Sequence, residues 1–439
     1  AIPEFADELP AILARLQQGF ARPGGWIAHI GLPISLQCAL LDNPLPPPSP
    51  GWSYSPQAPS PEALDACLEA LLDPNAVLWI GHGARGAAAT LKAFAEAANL
   101  PVVTSPRAKG VFPERHPLFV GVSGAGGSPT VKSWFKSRPP KNIVVVGSRL
   151  GEVTSFLSPD VVPLERYFHV DIDPSAFGSA FPHIPGRGIV ADANAFFADI
   201  LARTTPHWRQ ARSLAATDAL RGLAEVRRSP APLQARSGDI RPMFLMQAIQ
   251  KRIVDGADVL VMSEAGASFT WSNAGLRFET PGRYRMSARW GSMGHFTTGC
   301  VGAAIATGRK VVAIVGDGAM LMNNEINTAV QYGASVIWIV LNDAQFGLNE
   351  HGMLALGMMP VETQLPRTNF AAFAQSQGAN GIVVTREEDL DDALDQAMHA
   401  SGPFVVDVRI DRTIPSPVLT ERKASLLNQA DDPEEAPRE

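Results

Sequence analysis

The chain has 439 residues, more than one hydrophobic core usually holds, so two or three domains are expected. It is 46% hydrophobic and 18% charged, and its net charge of −6 gives no general attraction to nucleic acid or to an anionic membrane surface. Apolar runs such as VIWIVL (336–341) are far too short to span a bilayer. Cys38, Cys67 and Cys300 are isolated, form no metal pattern or disulfide framework, and fit a reducing, cytoplasmic setting.

Residues 9–21 (LPAILARLQQGFA) have helical apolar spacing, which Gly24-Gly25 interrupts. GWIAHIGLPISLQ (25–37) reads as a short strand that leaves through a Pro. Residues 44–61 are so rich in Pro and Ser that they read as an interdomain linker. Over 62–205, short β-branched runs (VLWIGHG, PVVTS, NIVVVGS, RYFHVDIDP) alternate with helical patterns such as AATLKAFAEAANL. That alternation predicts a parallel sheet covered by helices. Residues 206–238, rich in Arg and Ala, read as a helical, exposed connector. A second alternating region, 239–415, has strands at VLVMSEAG, RKVVAIVGDG, VIWIVLND, GIVVT and PFVVDVRI. Its helices are MFLMQAIQKRIV, NEINTAVQYG, FAAFAQSQG and DLDDALDQAMHA. Residues 416–439 form an acidic, Pro-containing tail, expected to be mobile. The expected fold class is therefore α/β, with two doubly wound parallel-sheet domains.

The run VVAIVGDGAMLMNNE (311–325) raises a chemical question: a buried strand ends in an aspartate between two glycines. Ligands of open α/β sheets bind beyond the carboxyl ends of the strands. Gly316 and Gly318 let backbone N–H groups approach an anion closely. Asp317 repels that anion unless a divalent cation lies between, and Mg²⁺ is usually held by one or two carboxylates plus phosphate oxygens. An ordinary strand-to-helix turn reads equally well on those three residues. The next strand ends in Asn342-Asp343-Ala344-Gln345. Neighbouring strand ends place Asp317 and Asp343 where both can share one cation, with a further oxygen near Gln345.

GDGAMLMNNEINTAVQYGASVIWIVLNDAQFG (316–347) resembles the diphosphate-binding motif of thiamine diphosphate enzymes. Asp343 departs from the usual Asn-Asn pair and adds a negative charge. SEAGAS (263–268) resembles the loop that approaches the diphosphate and pyrimidine, which implies contacts from Gly266, Ala267 and Ser268; Gly316, Gly318 and Ala319 complete the cofactor cradle. ARWGSMGHFTTGCVGAAIA (288–306) resembles the segment whose Met293 wedges the two cofactor rings into a V and whose Gly291 carbonyl holds the 4′-amino group. On packing alone, Met293 reads as a core gap-filler. IGHGARGA, VTSPRAKGVFPERHPLFVGVSGAGG, VVVGSRLGEVTSF and FHVDIDPSAFG resemble the central domain of acetolactate synthase-type enzymes, whose members bind FAD, another adenine nucleotide or nothing. Gly81, Gly83 and Gly86 form GxGxxG after a strand, with Arg149 and Asp171 as plausible nucleotide contacts; a purely structural domain fits as well.

The resemblance implies thiamine diphosphate and Mg²⁺, decarboxylation of a small 2-oxo acid such as pyruvate, and ligation to a carbonyl acceptor. A decarboxylase, an aldehyde lyase and a noncatalytic cofactor-binding subunit are the alternatives. Gln345, Phe346, Asn349, Glu350 and His351 start a helix near the reactive end, with His351 as a candidate proton donor or a structural histidine; LALGMMP is an apolar wall or core. Glu325 and Asn327 resemble helix positions after GDG, and capping and packing explain them equally. In this family a glutamate on an N-terminal pyrimidine-binding domain completes the site and faces a neighbouring subunit. Residues 1–43 resemble only the last helix and strand of that domain, so a partner chain carrying it, separate or cleaved, is expected, together with homo-oligomerisation. A shortened sequence is the other reading.

Overall fold

The structure, a computed structural model, describes residues 1–21, 26–40, 55, 57–226, 232–287, 290–322 and 325–417. Most of the expected linker, the Asn323-Asn324 pair and the tail beyond 417 lie outside the described residues.

The first sheet contains β1 (Val77–Ile80), β2 (Val102–Thr104), β3 (Phe119–Val122), β4 (Asn142–Val146), β5 (Arg166–Asp171) and β6 (Gly186–Val190). All pair in parallel, in the order β3-β2-β1-β4-β5-β6. Parallel strands covered on both faces read as continuous apolar runs, and β1 and β4 are buried throughout. Strand alternation divides them between two cores. Leu78, Ile80, Val144 and Val146 cluster with Leu91, Phe94, Phe196 and Phe197. Val77, Trp79, Ile143 and Val145 cluster with Trp134, Phe135 and Leu223. The helix Pro206–Val226 is the expected connector, but it is not exposed all round: Arg212, Ala216, Ala219 and Leu223 are buried, because one face closes the central domain.

The second sheet contains β7 (Leu260–Ser263), β8 (Tyr284–Met286), β9 (Val311–Gly316), β10 (Val336–Asn342), β11 (Asn380–Val384) and β12 (Phe404–Arg409). It is also parallel, in the order β11-β12-β10-β9-β7-β8. From β7 the chain steps outward to β8 and then returns to the other side as β9. The β7/β9 boundary is therefore a switch point, where a crevice opens beyond the strand ends. The domain is sealed where its entry meets its exit: Ile240 N donates to Arg409 O at 3.1 Å, and Asp411 N donates to Ile240 O at 2.8 Å. Glu387 fastens the same seam by accepting from the backbone N–H groups of Arg236 and Arg241.

Where the two domains meet, the central domain contributes a buried ion pair of its own, Lys109 Nζ to Glu114 Oε2 at 2.9 Å. Lys109 also donates to Asn273 O at 3.4 Å, and Asn273 Nδ2 donates to Ala125 O at 2.8 Å.

One expectation is overturned. Residues 26–33 have no regular structure, and Ile34–Gln37 is a short helix rather than the continuation of a strand. A strand needs a neighbour for its N–H and C=O groups, and neither sheet supplies one. Ile27, Ile34 and Leu40 stay exposed. Among the described residues no helix is long and apolar enough to cross a membrane.

Candidate cofactor and cation site

Three loops converge on the β7/β9 switch point. The first follows β7. Glu264, fully buried, directs Oε2 at the N–H groups of Phe296 and Thr297, both 2.8 Å away, and at the Thr297 hydroxyl at 2.9 Å. Its Oε1 accepts from Ala265 N at 2.9 Å. One carboxylate thus satisfies amides at the start of the helix His295–Thr307, where negative charge is favourable. It also fixes that helix to the loop carrying Gly266. Gly266 has φ +106°, which a side chain would disfavour, and the space where its Cβ would stand is open. Ala267 and Ser268 begin the helix Ala267–Gly275, and Ser268 Oγ donates back to Glu264 O at 2.8 Å.

The second loop contains Gly291 and Met293. Gly291, with φ +65°, also borders open space. Met293 is about a third exposed (37%), so it is not a buried core residue within this chain. Its Sδ lies 3.6 Å from where a Cβ on Gly318 would sit, and Phe346 Cε1 lies only 2.6 Å from that point. A side chain at Gly318 would collide with the Phe346 ring. Its absence leaves room for both Phe346 and Met293 beside the GDG turn.

The third part is made by the two turns that follow β9 and β10. Asp317 Oδ1 accepts from Gly318 N at 2.7 Å and Oδ2 from Ala344 N at 2.7 Å, so one side chain ties the two strand ends together. Asp317 is 5% exposed, and burial pushes its carboxyl up to about 6. Asp343 is 9% exposed, and burial, with the charge of Asp317, pushes it up to about 7. Two carboxyls held near neutral in a shared pocket suit a hard divalent cation that takes oxygen ligands. Among the described residues no cluster of three or more His, Cys, Asp or Glu forms around a metal position. Further oxygens would come from the main chain or from phosphate. The Gln345 side chain is already engaged: its Nε2 donates to Asp343 Oδ2 at 3.2 Å and its Oε1 accepts from Arg412 Nη2 at 2.8 Å. Gly316 borders open space at the mouth of the crevice, and Ala319 is buried in the short helix Asp317–Met320.

His351 Nε2 lies 3.0 Å from Arg412 O, which gives that histidine a structural partner. Glu350 binds Thr363 and Gln364; Asn349 and Asn327 are exposed, and Glu325 is half-buried. In the LALGMMP stretch, Leu354, Leu356, Met358 and Met359 are exposed and do not form core within this chain.

The central-domain residues have their own geometry at the β1/β4 switch point. Gly81 N donates to Val146 O at 2.8 Å and Gly83 N to Gly147 O at 3.0 Å. A Cβ on Gly81 would stand 2.0 Å from Gly147 O, and one on Gly83 would stand 2.9 Å from Gly147 Cα. Close packing of two loops therefore accounts for both glycines. Arg149 Nη2 pairs with Asp173 Oδ2 at 2.6 Å, and Asp171 Oδ1 accepts from Asp173 N at 2.9 Å. Sequence reasoning gave no role to Glu264, Arg412 or the Lys109–Glu114 pair. For Glu264 one signal was present, an acid directly after an apolar strand.

The fold is that of a doubly wound α/β protein, and these loops gather at the switch point of its second sheet. The description "Thiamine pyrophosphate enzyme, central domain" matches residues 67–200, and "Thiamine pyrophosphate enzyme, C-terminal TPP binding domain" matches residues 264–408. Together they take in most of the chain. A putative acetolactate synthase large subunit of Mycobacterium tuberculosis is 31% identical over 354 residues, 78% of this chain and 61% of that protein. A putative thiamine pyrophosphate-containing protein of Bacillus subtilis is 26% identical, over 82% of this chain and 61% of its own length. The large subunit of acetolactate synthase isozyme 1 of Escherichia coli is 26% identical, over 92% of this chain and 71% of its own length. The chain thus belongs to the thiamine pyrophosphate (thiamine diphosphate) enzyme family. It spans less than two thirds of the length of the first two relatives.

Proposed function

We propose that this chain carries the diphosphate- and Mg²⁺-binding half of a thiamine diphosphate-dependent carboligase acting on a small 2-oxo acid, resembling acetolactate synthase. The observation that carries the reading is the pair Asp317 and Asp343. Two buried carboxyls at adjacent strand ends are an unfavourable arrangement until a divalent cation neutralises them. Asp317 and Asp343 would hold the cation, with the main chain near Gln345 as a further oxygen source. Gly266 and Gly316, which border open space, would leave room for a diphosphate, and Gly318 admits the Phe346 ring beside them. Met293 would support the cofactor rings, and the Gly291 carbonyl would orient the amino group. When bound, thiamine diphosphate supplies the carbon nucleophile and the electron sink for decarboxylation of the 2-oxo acid. A pyrimidine-binding domain bearing the glutamate lies outside this sequence in this reading and completes the site. The exposed Trp290, Met293, Met322 and Met359 are apolar surface suited to such a cover. For the central domain, the packing of Gly81 and Gly83 against Gly147 favours a structural role over an FAD site.

The test is titration of thiamine diphosphate by calorimetry with and without Mg²⁺. Wild type should bind only with the cation, and Asp317→Ala should lose that binding. Equal affinity in the variant would remove the cation assignment.

A further inference from the structure

Beyond β12, the segment 411–417 crosses the loop that carries Asp343 and Gln345. It is itself well anchored. Asp411 Oδ1 accepts from Thr413 N at 3.0 Å and Thr413 Oγ1 at 2.6 Å, and Asp411 Oδ2 pairs with Arg236 Nη2 at 2.8 Å. Arg412 is its reach toward the crevice. Nη2 and Nε donate to Gln345 Oε1 at 2.8 and 3.3 Å, while Gln345 Nε2 donates back to Arg412 O at 3.3 Å. One residue therefore holds both ends of the Gln345 amide. The Arg412 guanidinium also bonds Gln364 Oε1, and Gln364 bridges Gln345 in an antiparallel pair.

The loop needs such an anchor. Ala344 stands at φ +58°, a left-handed conformation that a residue with a Cβ adopts only when its surroundings impose it. Phe346 N donates to Thr363 O and Leu365 N to Ala344 O, which fixes the backbone on one side. Arg412 fixes the side chain on the other. None of these contacts uses the main-chain carbonyl of Gln345.

We propose that Arg412 is a positioning residue for the cation site. It acts through Gln345, locking the Asp343–Gln345 turn so that the Asp343 carboxylate and the Gln345 carbonyl are presented together. The proposal rests on the cation reading above and adds to it a device built by this chain's own C-terminal segment. A guanidinium near a cation site also repels the cation, so the two effects have opposite signs and can be separated.

The experiment measures Mn²⁺ affinity by the free-ion resonance signal, on the full chain with thiamine diphosphate and any partner it copurifies with. Wild type must bind Mn²⁺; if it does not, the cation reading fails, whatever Arg412 does. Removing a group that orients a metal ligand commonly weakens affinity by about 10–100-fold, and Arg412→Ala should lie in that range. Arg412→Lys, which keeps the charge without the double donation, should lose part of it. Gln345→Ala should match Arg412→Ala, and the double variant should be no worse than either. Unchanged or tighter Mn²⁺ binding in Arg412→Ala, with an unchanged melting temperature, would overturn the proposal. Should the alanine variant not fold, an Arg412→Lys affinity equal to wild type would overturn it equally.

Discussion

At the scale of single residues, the informative fact is that Asp317 and Asp343 sit above their ordinary carboxyl values because they are buried together. The folded chain therefore keeps protons that the unfolded chain gives up at lower pH. Their contribution to stability is full below the ordinary carboxylate range and is lost as pH rises through about 6 to 7. In the proposed cation site a divalent cation would replace those protons. Mg²⁺ with thiamine diphosphate should thus raise the melting temperature clearly at about pH 8 and hardly at about pH 5. Asp343→Asn should flatten the pH dependence of the cation-free protein. Thermal unfolding across that range decides it; a wild-type profile indistinguishable from the variant's would mean the two carboxyls are not coupled to folding.

At the scale of elements, the Lys109–Glu114 pair, inside the central domain where it meets Asn273 of the second, shows how a buried boundary depends on satisfied charge. Burial alone drives Lys109 down and Glu114 up, and each is held against that by the other. Lys109→Met leaves Glu114 buried without its partner and should cost about 3–5 kcal/mol in chemical denaturation. Lys109→Met with Glu114→Leu should recover most of that loss; no recovery would show that shape rather than charge dominates there. The elements themselves were largely legible in the sequence. Central parallel strands such as β1, β4, β9 and β10 are covered on both faces, so their sequences are apolar without interruption. The three strands not foreseen, β3, β6 and β8, all lie at sheet edges, where pairing is one-sided and composition is less constrained. The GDG turn was legible because its glycines and acid act locally. Glu264 and Arg412 were not, because their partners lie 33 and 67 positions away. Residues 26–37 were misread because local pattern cannot reveal that no neighbouring strand exists.

At the scale of the whole molecule, apolar side chains left open at 1–40 and around the crevice call for a cover. Native mass analysis of the purified protein should show assemblies larger than the 46.8 kDa chain, retaining thiamine diphosphate and no flavin. A lone, cofactor-free chain in every peak would sink the reading in which another domain completes the site, and a stoichiometric flavin would restore the nucleotide role of the central domain.

The seam between Ile240 and Ile410 has a consequence for biosynthesis. Domains generally fold as units in the order in which the ribosome releases them. The central domain has all six of its strands once residue 190 is out. The second domain cannot be sealed until the backbone near Ile410 returns to Ile240, and the same stretch delivers Arg412 to the crevice. The proposed cation site is therefore among the last features to form as the chain emerges, and in a nascent chain stalled before residue 410 the turn that carries Asp343 and Gln345 would still lack its fastening by Arg412.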